Sequence, residues 1–206
     1  IVFDFGDFLR PKTDEKTIDQ AAELINSAKK PFIVWGQGVI IAEAEKEFKT
    51  FIEKTGIPAA WTILGASAVE TNHPLNVGMV GMHGNYGPNV LTNECDLLIA
   101  MGMRFDDRVT GDLNRYAKQA KVIHFEIDPA EVNKNVEADI AVMGNIKKTL
   151  PRIIKKVNSN KHEKWLQVFN DHKEIEYNEV IENDIFPTKD GLTMGEVVNE
   201  INHATG

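Results

Sequence analysis

Short apolar runs alternating with helical stretches constrain this chain more than any other feature. Phe32-Ile33-Val34-Trp35, Asp96 to Met101 and Lys121 to Ile127 read as strands buried on both faces, because they lack the in-out alternation of a half-exposed strand. Pro58-Ala59-Ala60-Trp61, after the turn at Thr55-Gly56, and Asp139 to Met143 are shorter strands of the same kind. Between them, Thr13 to Lys30 sets Ile18, Ala21, Ala22, Leu24 and Ile25 on one side of a helix. Ala42 to Lys54 does the same with Ala44, Phe48, Phe51 and Ile52, and Asn145 to Lys156 is helical again. Parallel strands need crossover connections, so this alternation predicts an α/β fold: a doubly wound parallel sheet of about six strands flanked by helices, over residues 13–157.

The ends of the chain differ from this core. Residues 1–12 have neither an initiator methionine nor the basic-then-apolar order of a signal peptide, and are expected to be a linker cut from a longer protein. Beyond Val157, Asn158-Ser159-Asn160-Lys161 leads into a charged helical stretch, His162 to Glu182, which has no strand to cover and reads as a connector anchored by Trp165. Phe186-Pro187 and Asp190-Gly191 interrupt it, and Thr193 to His203 starts another helix. Residues 158–206 are therefore expected to be a C-terminal helical linker and the start of a further unit.

Composition narrows the function classes. No apolar run approaches the roughly 20 residues of a membrane span. A formal charge of -8, with lysines scattered among glutamates, disfavours nucleic acid as a partner. Cys95 is the only cysteine, so no internal disulfide can form; a cytoplasmic location is expected, with Cys95 structural. His73, His124, His162, His172 and His203 lack ligand spacing, and no metal site is assigned. Trp35 and Trp61 read as core residues.

Three segments could carry chemistry. Gly36-Gln37-Gly38 lies between a strand and a helix, where backbone can approach phosphates. The third glycine of a dinucleotide fingerprint is replaced by Ile41, and Trp61-Thr62-Ile63-Leu64-Gly65 lacks the acid that holds a ribose of NAD, which argues against an ordinary NAD domain. Gly78 to Asn89 contains four glycines, expected to admit a large flat ligand, with His83 donating to it and Met79 and Met82 packing on its rings; alone, His83 reads more simply as a surface-loop histidine. Finally, Gly102 to Gly111 follows a strand and holds Arg104, Asp106, Asp107 and Arg108. A binding loop and a solvated, self-paired turn account for that last run equally well.

Together with Glu126-Ile127-Asp128-Pro129-Ala130-Glu131-Val132, these segments resemble, in order and spacing, the central domain of acetolactate synthase (acetohydroxyacid synthase) catalytic subunits. Phe105-Asp106-Asp107-Arg108-Val109-Thr110-Gly111 is the most specific part of the match. The resemblance implies a Rossmann-like, DHS-like nucleotide-binding domain that holds an FAD not used for redox chemistry in the main reaction. By that resemblance Gly36, Gln37 and Gly38 lie against the FAD phosphates and ribitol, with Thr62 and Ile63 beside them. Val80, Gly81, Met82 and His83, with Gly102, Met103, Arg104, Phe105 and Asp106, line the flavin side. Glu126, Ile127, Asn145 and Ile146 are nearer the adenosine, although the family commonly has aspartate at the positions of Asn145 and Glu126. Asp107 and Arg108 fall at the mouth of the substrate channel, where inhibitors bind in the family.

The family's activity condenses pyruvate-derived hydroxyethyl-thiamine diphosphate with pyruvate or 2-oxobutyrate, in branched-chain amino acid biosynthesis. Its catalytic glutamate belongs to an N-terminal domain, and its thiamine diphosphate and magnesium to a C-terminal one. No catalytic residue is therefore expected in this chain, which by itself should be inactive and hold FAD weakly or not at all. The implied partners are the missing N- and C-terminal domains of the same polypeptide, further copies in a homo-oligomer, and a regulatory subunit. Two other readings stay open on the sequence: the nucleotide-binding domain of another thiamine-diphosphate enzyme, and a non-catalytic flavin-binding scaffold.

Overall fold

Six strands make one sheet: β1 Pro31–Trp35, β2 Ala59–Trp61, β3 Asn76–Met79, β4 Leu97–Met101, β5 Lys121–Glu126 and β6 Ile140–Met143. The computed structural model describes residues 12–186 and 191–205. The linker expected over residues 1–12 thus lies outside the described residues except for Lys12, as do Pro187 and Asp190 of the expected helix break. The strand order is β3-β2-β1-β4-β5-β6, and every pairing is parallel. This is the doubly wound α/β sheet that the apolar runs predict.

Register explains why the central strands lack alternation. Ile33 pairs with Ile99 and Ile99 with Ile123, so these side chains share one face of the sheet. Phe32, Leu98 and Val122 share the other. Both faces are covered, so both sets are buried. Helices α1 (Glu15–Ser27), α3 (Glu45–Thr55) and α6 (Ile146–Ile154) cover the first face through Ile18, Phe48, Phe51 and Leu150. Trp35 is fully buried there, its indole N–H donating to the Gly65 carbonyl at 2.8 Å, and Trp61 packs against the same cluster. On the second face lies Cys95, whose Sγ–H donates to the Thr92 carbonyl at 3.2 Å; burial pushes its thiol pKa up to about 12, which suits a structural thiol.

The second face is closed by a helix that the sequence reading treats as a connector. In α7 (Glu163–Glu176), Trp165 and Phe169 are buried against Phe32, with ring centroids 5.0 Å apart for the Phe32–Phe169 pair. The Trp165 indole also donates to the Pro31 carbonyl at 2.9 Å. Contrary to the expectation that this stretch covers no strand, it packs over β1. The preceding segment is held in place too: Asn26 accepts from the Asn158 amide at 2.7 Å and donates to the Lys156 carbonyl at 3.1 Å. The Asn160 amide donates to the Lys54 carbonyl at 3.0 Å. The stretch looks like a connector because only two of its fourteen residues, Trp165 and Phe169, are buried, and charged residues make up much of the rest.

Three further elements depart from the sequence reading. Gly78 and Met79, expected in a loop, belong to the edge strand β3, and Tyr86 to Leu91 form α4. β3 is half-exposed throughout and its register against β2 shifts, so it has no apolar run to reveal it. The helix expected from Ala42 is preceded by a separate short helix, α2 (Gln37–Ile41), and Glu43, with φ of 50°, separates the two. Among the described residues the remaining helices are a 3-10 turn at Ile63–Gly65, α5 (Asp107–Thr110), a π-helical turn at Tyr177–Ile181, α8 (Glu182–Ile185) and α9 (Met194–Thr205). Among the described residues no helix is long and apolar enough to cross a membrane.

One polar side chain sits deep in the second face. His124 on β5 is fully buried, with Nε2 donating to the Met103 carbonyl at 3.0 Å and its ring 5.0 Å from that of Phe105. Burial holds its pKa below the usual histidine value, and His162 is lowered for the same reason. The folded chain therefore binds fewer protons than the unfolded chain just below pH 6.5, the ordinary histidine value. Stability should fall as pH drops from about 6.5 to 5, by up to ~1.4 kcal/mol per pH unit for His124 and by less for the partly exposed His162. Urea unfolding across that window checks it: the slope should be shallower in His124→Gln, and a flat profile in the unaltered chain would contradict a buried neutral histidine. Independently, Phe169→Ala should lower the unfolding free energy by about 3–5 kcal/mol. A loss under about 1 kcal/mol would mean that α7 does not close the sheet.

Candidate functional site

In this strand order the chain turns outward in opposite directions from β1 and from β4, which are neighbours in the sheet. The loops leaving their carboxyl ends start side by side and then diverge, opening a crevice at the switch point. Here the two loops touch backbone to backbone. The Gly36 amide donates to the Met101 carbonyl at 3.0 Å, and the Gly38 amide donates to the Gly102 carbonyl at 2.9 Å. A Cβ on Gly36 would sit 2.6 Å from the Gly102 oxygen, and one on Gly38 would sit 2.6 Å from the Gly102 Cα. Gly102 itself has φ of +58°, a left-handed conformation that favours glycine. Only glycine at these three positions lets the loops cross this closely.

Above the crossing lies a cleft of about 830 Å³, within the range of small-molecule sites. Thr62 and Ile63 after β2, and Val80, Met82 and His83 after β3, line one end. Gln37, Gly38, Gly102, Met103, Arg104 and Asp106 form the middle. Glu126 and Ile127 after β5, with Asn145 and Ile146 after β6, line the other end. Gly36, Gly81 and Phe105 stand outside the lining. Gly36 is buried in the loop crossing, and Phe105 is buried beneath its loop, edge-on to Tyr116 and His124. Arg108 reaches the cleft, while Asp107 faces a neighbouring concavity of about 460 Å³ that Gly81, Met82 and Arg108 share.

Sequence reasoning did not place Ile41, Ala42, Leu64, Val109 or Phe125 in this cleft. Ile41 and Leu64 are 73% and 61% exposed, and such apolar side chains flanking a glycine motif are the signal that could have found them.

The glycines between β3 and α4 have a different cause from the one expected. A Cβ on Gly78 would meet the Asn85 Oδ1, one on Gly81 the Arg108 carbonyl, one on Gly84 the Met79 carbonyl, and one on Gly87 the His172 Cβ. The chain's own atoms fill all four positions, so close approach of a flat ligand is not needed to explain them. Asn89 braces the same loop, accepting from the Gly81 amide at 2.9 Å and donating to its carbonyl at 3.0 Å.

The charged loop after β4 is both self-paired and cleft-facing. Arg104 and Asp106 lie 3.6 Å apart, both well exposed, so the pair contributes little to stability and can be exchanged for a stronger partner. Asp106 also starts α5 by accepting from the Arg108 amide at 3.2 Å, and Arg108 Nη1 lies 3.7 Å from the Met82 sulfur. At the far end, Glu126 is buried, and its Oε1 accepts from the Ile127 and Asp128 amides at 2.7 and 3.1 Å. Its Oε2, 3.6 Å from His124 Nε2, keeps acceptor capacity. Asn145 caps α6 by accepting from the Lys147 amide at 2.9 Å, which leaves its NH2 as a donor. Among the described residues, no three His, Cys, Asp or Glu side chains converge as metal ligands would.

Comparison with known proteins agrees with this architecture. The family model described as "Thiamine pyrophosphate enzyme, central domain" matches residues 18–153. A probable acetolactate synthase large subunit of Methanocaldococcus jannaschii is 40% identical over 199 residues, covering 93% of this chain and 34% of the relative. The acetolactate synthase isozyme 2 large subunit of Escherichia coli K12 is 45% identical over 141 residues, covering 68% of this chain and 26% of the relative. A probable acetolactate synthase large subunit of Methanococcus aeolicus is 43% identical over 143 residues, covering 69% of this chain and 24% of the relative. The chain thus spans from about a quarter to a third of the length of these relatives. With its all-parallel switch-point sheet and this match, the chain belongs to the thiamine pyrophosphate enzyme central-domain family, and is similar there to the acetolactate synthase large subunits.

Proposed function

We propose that this chain is the FAD-holding central domain, residues 13–157 with the helices that follow, of an acetolactate synthase catalytic subunit. The observation that carries the reading is the distribution of chemistry along one continuous cleft. Its β2–β3 end is apolar, with Ile63 and Met82 69% and 57% exposed, and suits a flat ring that would remove them from water. Its middle has the Gly38–Gly102 crossing, where backbone lies bare, and the exposed guanidinium of Arg104, which suits a diphosphate. Its β5–β6 end has the Glu126 Oε2 acceptor and the Asn145 amide donor, which suit ribose hydroxyls. This order matches flavin, diphosphate and adenosine, and the residues present fit FAD.

In this role Arg104 would trade Asp106 for the diphosphate, His83 would donate to the flavin side, and Met79, Val80 and Met82 would exclude water from it. FAD would serve as a structural group that donates no electrons in the main reaction. Asp107 and Arg108, on the outer wall shared with the second concavity, would border the substrate channel. The parent would join a two-carbon unit from pyruvate to a second 2-oxo acid, with thiamine diphosphate and magnesium held outside these residues. It would work in the cytoplasm as a homo-oligomer, with a regulatory subunit as a further partner.

Purification of the full-length polypeptide carrying this chain tests the reading. It should be yellow and release FAD on denaturation, and Arg104→Ala should weaken FAD binding about tenfold or more. A colourless protein, or a released nucleotide other than FAD, would contradict it. This chain alone should titrate with a Kd weaker than ~1 μM. Tighter binding would mean that the neighbouring domains supply no part of the site.

A further inference from the structure

The loop that brings Met82 and His83 to the cleft is tied to a helix about ninety positions later in the chain, through a contact the FAD reading does not use. Asn85 closes this loop. Its backbone amide donates to the Met79 carbonyl at 2.8 Å, and its Oδ1 accepts from the Met79 amide at 2.9 Å. The same residue stands at the N-cap of α4 but makes no capping bond with its side chain, because that side chain is turned elsewhere. Its NH2 donates to both carboxylate oxygens of Glu176, at 3.3 and 3.2 Å. The Tyr86 amide donates to the Glu176 Oε1 as well, at 3.0 Å. A charged, half-buried carboxylate at the last residue of α7 therefore gathers both residues that end the loop.

Two neighbouring facts show that this contact sits at a mechanical junction. Upstream, α4 and α7 lie close together: the Tyr86 and His172 rings are 5.4 Å apart, and a Cβ on Gly87 would be 3.1 Å from the His172 Cβ. Downstream, the helix changes at the next residue to the wider π form, over Tyr177–Ile181, and no residue of the π turn or of α8 is buried. Among the described residues, Glu176 is thus the last in the outgoing helix to make a hydrogen bond to the sheet domain. The loop's other restraints, Asn89 on Gly81 and the Arg108 carbonyl accepting from the Met82 amide at 2.8 Å, hold its tip, while its Asn85 end is held by Met79 within the loop and by Glu176 from outside it.

We propose that Glu176 is a positioning residue for the cleft: it couples the helix that leaves the domain to the loop carrying Met82 and His83. It touches no cofactor or reacting atom and acts through Asn85. The proposal rests on the FAD reading only for its consequence in affinity; the coupling itself is a property of the chain.

The experiment is a polarity swap, read by amide hydrogen exchange on this chain and by FAD affinity in the full-length polypeptide. Glu176→Gln leaves one oxygen acceptor but sets an NH2 against the Asn85 NH2, and the loosening this causes should speed exchange at the Met79 and Tyr86 amides about tenfold, with Val34 and Ile99 in the central strands unchanged. It should also weaken FAD binding by about fivefold. Asn85→Asp alone sets two carboxylates against each other and should loosen the loop at least as much. The double variant Asn85→Asp with Glu176→Gln reverses donor and acceptor: the new amide donates to the new carboxylate, while Tyr86 and Met79 keep their acceptors. It should restore slow exchange and FAD affinity.

A double variant as loose as the single ones, or no change in exchange in Glu176→Gln, overturns the coupling. Faster exchange with unchanged FAD affinity overturns the positioning role and leaves the FAD reading standing. If the unaltered full-length protein holds no FAD, that reading fails, and the exchange data alone still decide whether the coupling exists.

Discussion

Backbone contact between two loops at the switch point is the constraint on which the rest of this structure depends. Neighbouring parallel strands are about 4.8 Å apart, so loops leaving β1 and β4 have room for each other only if side chains are absent where they meet. Gly36, Gly38 and Gly102 meet that condition, and Gly102 alone of the three also needs a left-handed φ. Because the loops are joined there by the Gly38 to Gly102 hydrogen bond, the cleft floor is backbone and the side chains on either side become walls. Arg104 and Asp106 are carried on one wall, Thr62 and Ile63 on another, and Ile146 closes against Gly102 from behind. A glycine pair that resembles a phosphate motif in sequence is, physically, first of all a solution to crowding.

The second dependency is coverage of both sheet faces. A parallel sheet with one bare face would leave Phe32, Leu98 and Val122 in water. The stretch from Asn158 to Glu176, polar enough to pass for a tether, supplies the missing cover with Trp165 and Phe169 and is tied down by Asn26 and Lys54 before it arrives. The same helix then reaches the cleft loop through Glu176. Whatever follows in the polypeptide is therefore attached through an element that both completes the core and touches the site.

How much of this could be read in the sequence depends on whether a residue's cause is local. Strands β1, β4 and β5 were legible because burial on both faces writes itself as an uninterrupted apolar run. β3 was not, since an edge strand that is half-exposed, bulged and glycine-bearing carries no periodic signal. The cleft grouping was legible through order and spacing: loops that follow successive parallel strands must gather at one edge of the sheet. The reasons for individual residues were less so. Four glycines in one loop pointed to a ligand, but their contacts are with Asn85, Arg108, Met79 and His172, partners as many as 85 positions away that no local pattern reveals. The charged run after β4 resisted a choice because both descriptions apply: Arg104 and Asp106 pair with each other and also line the cleft. Glu176 gave no signal at all, being one acid among many in a charged helix.

The proposed site is one continuous cleft across the switch point that receives a dinucleotide with its charged middle over the Gly38–Gly102 crossing. Amide chemical-shift mapping of this chain with FAD raised to millimolar concentration tests it directly, since weak binding is sufficient. Shifts should start together at Gly38, Gly102, Met103 and Arg104 and extend to His83 on one side and to Ile127 and Asn145 on the other. Shifts confined to one end of the cleft, or shifts elsewhere on the surface, would contradict it.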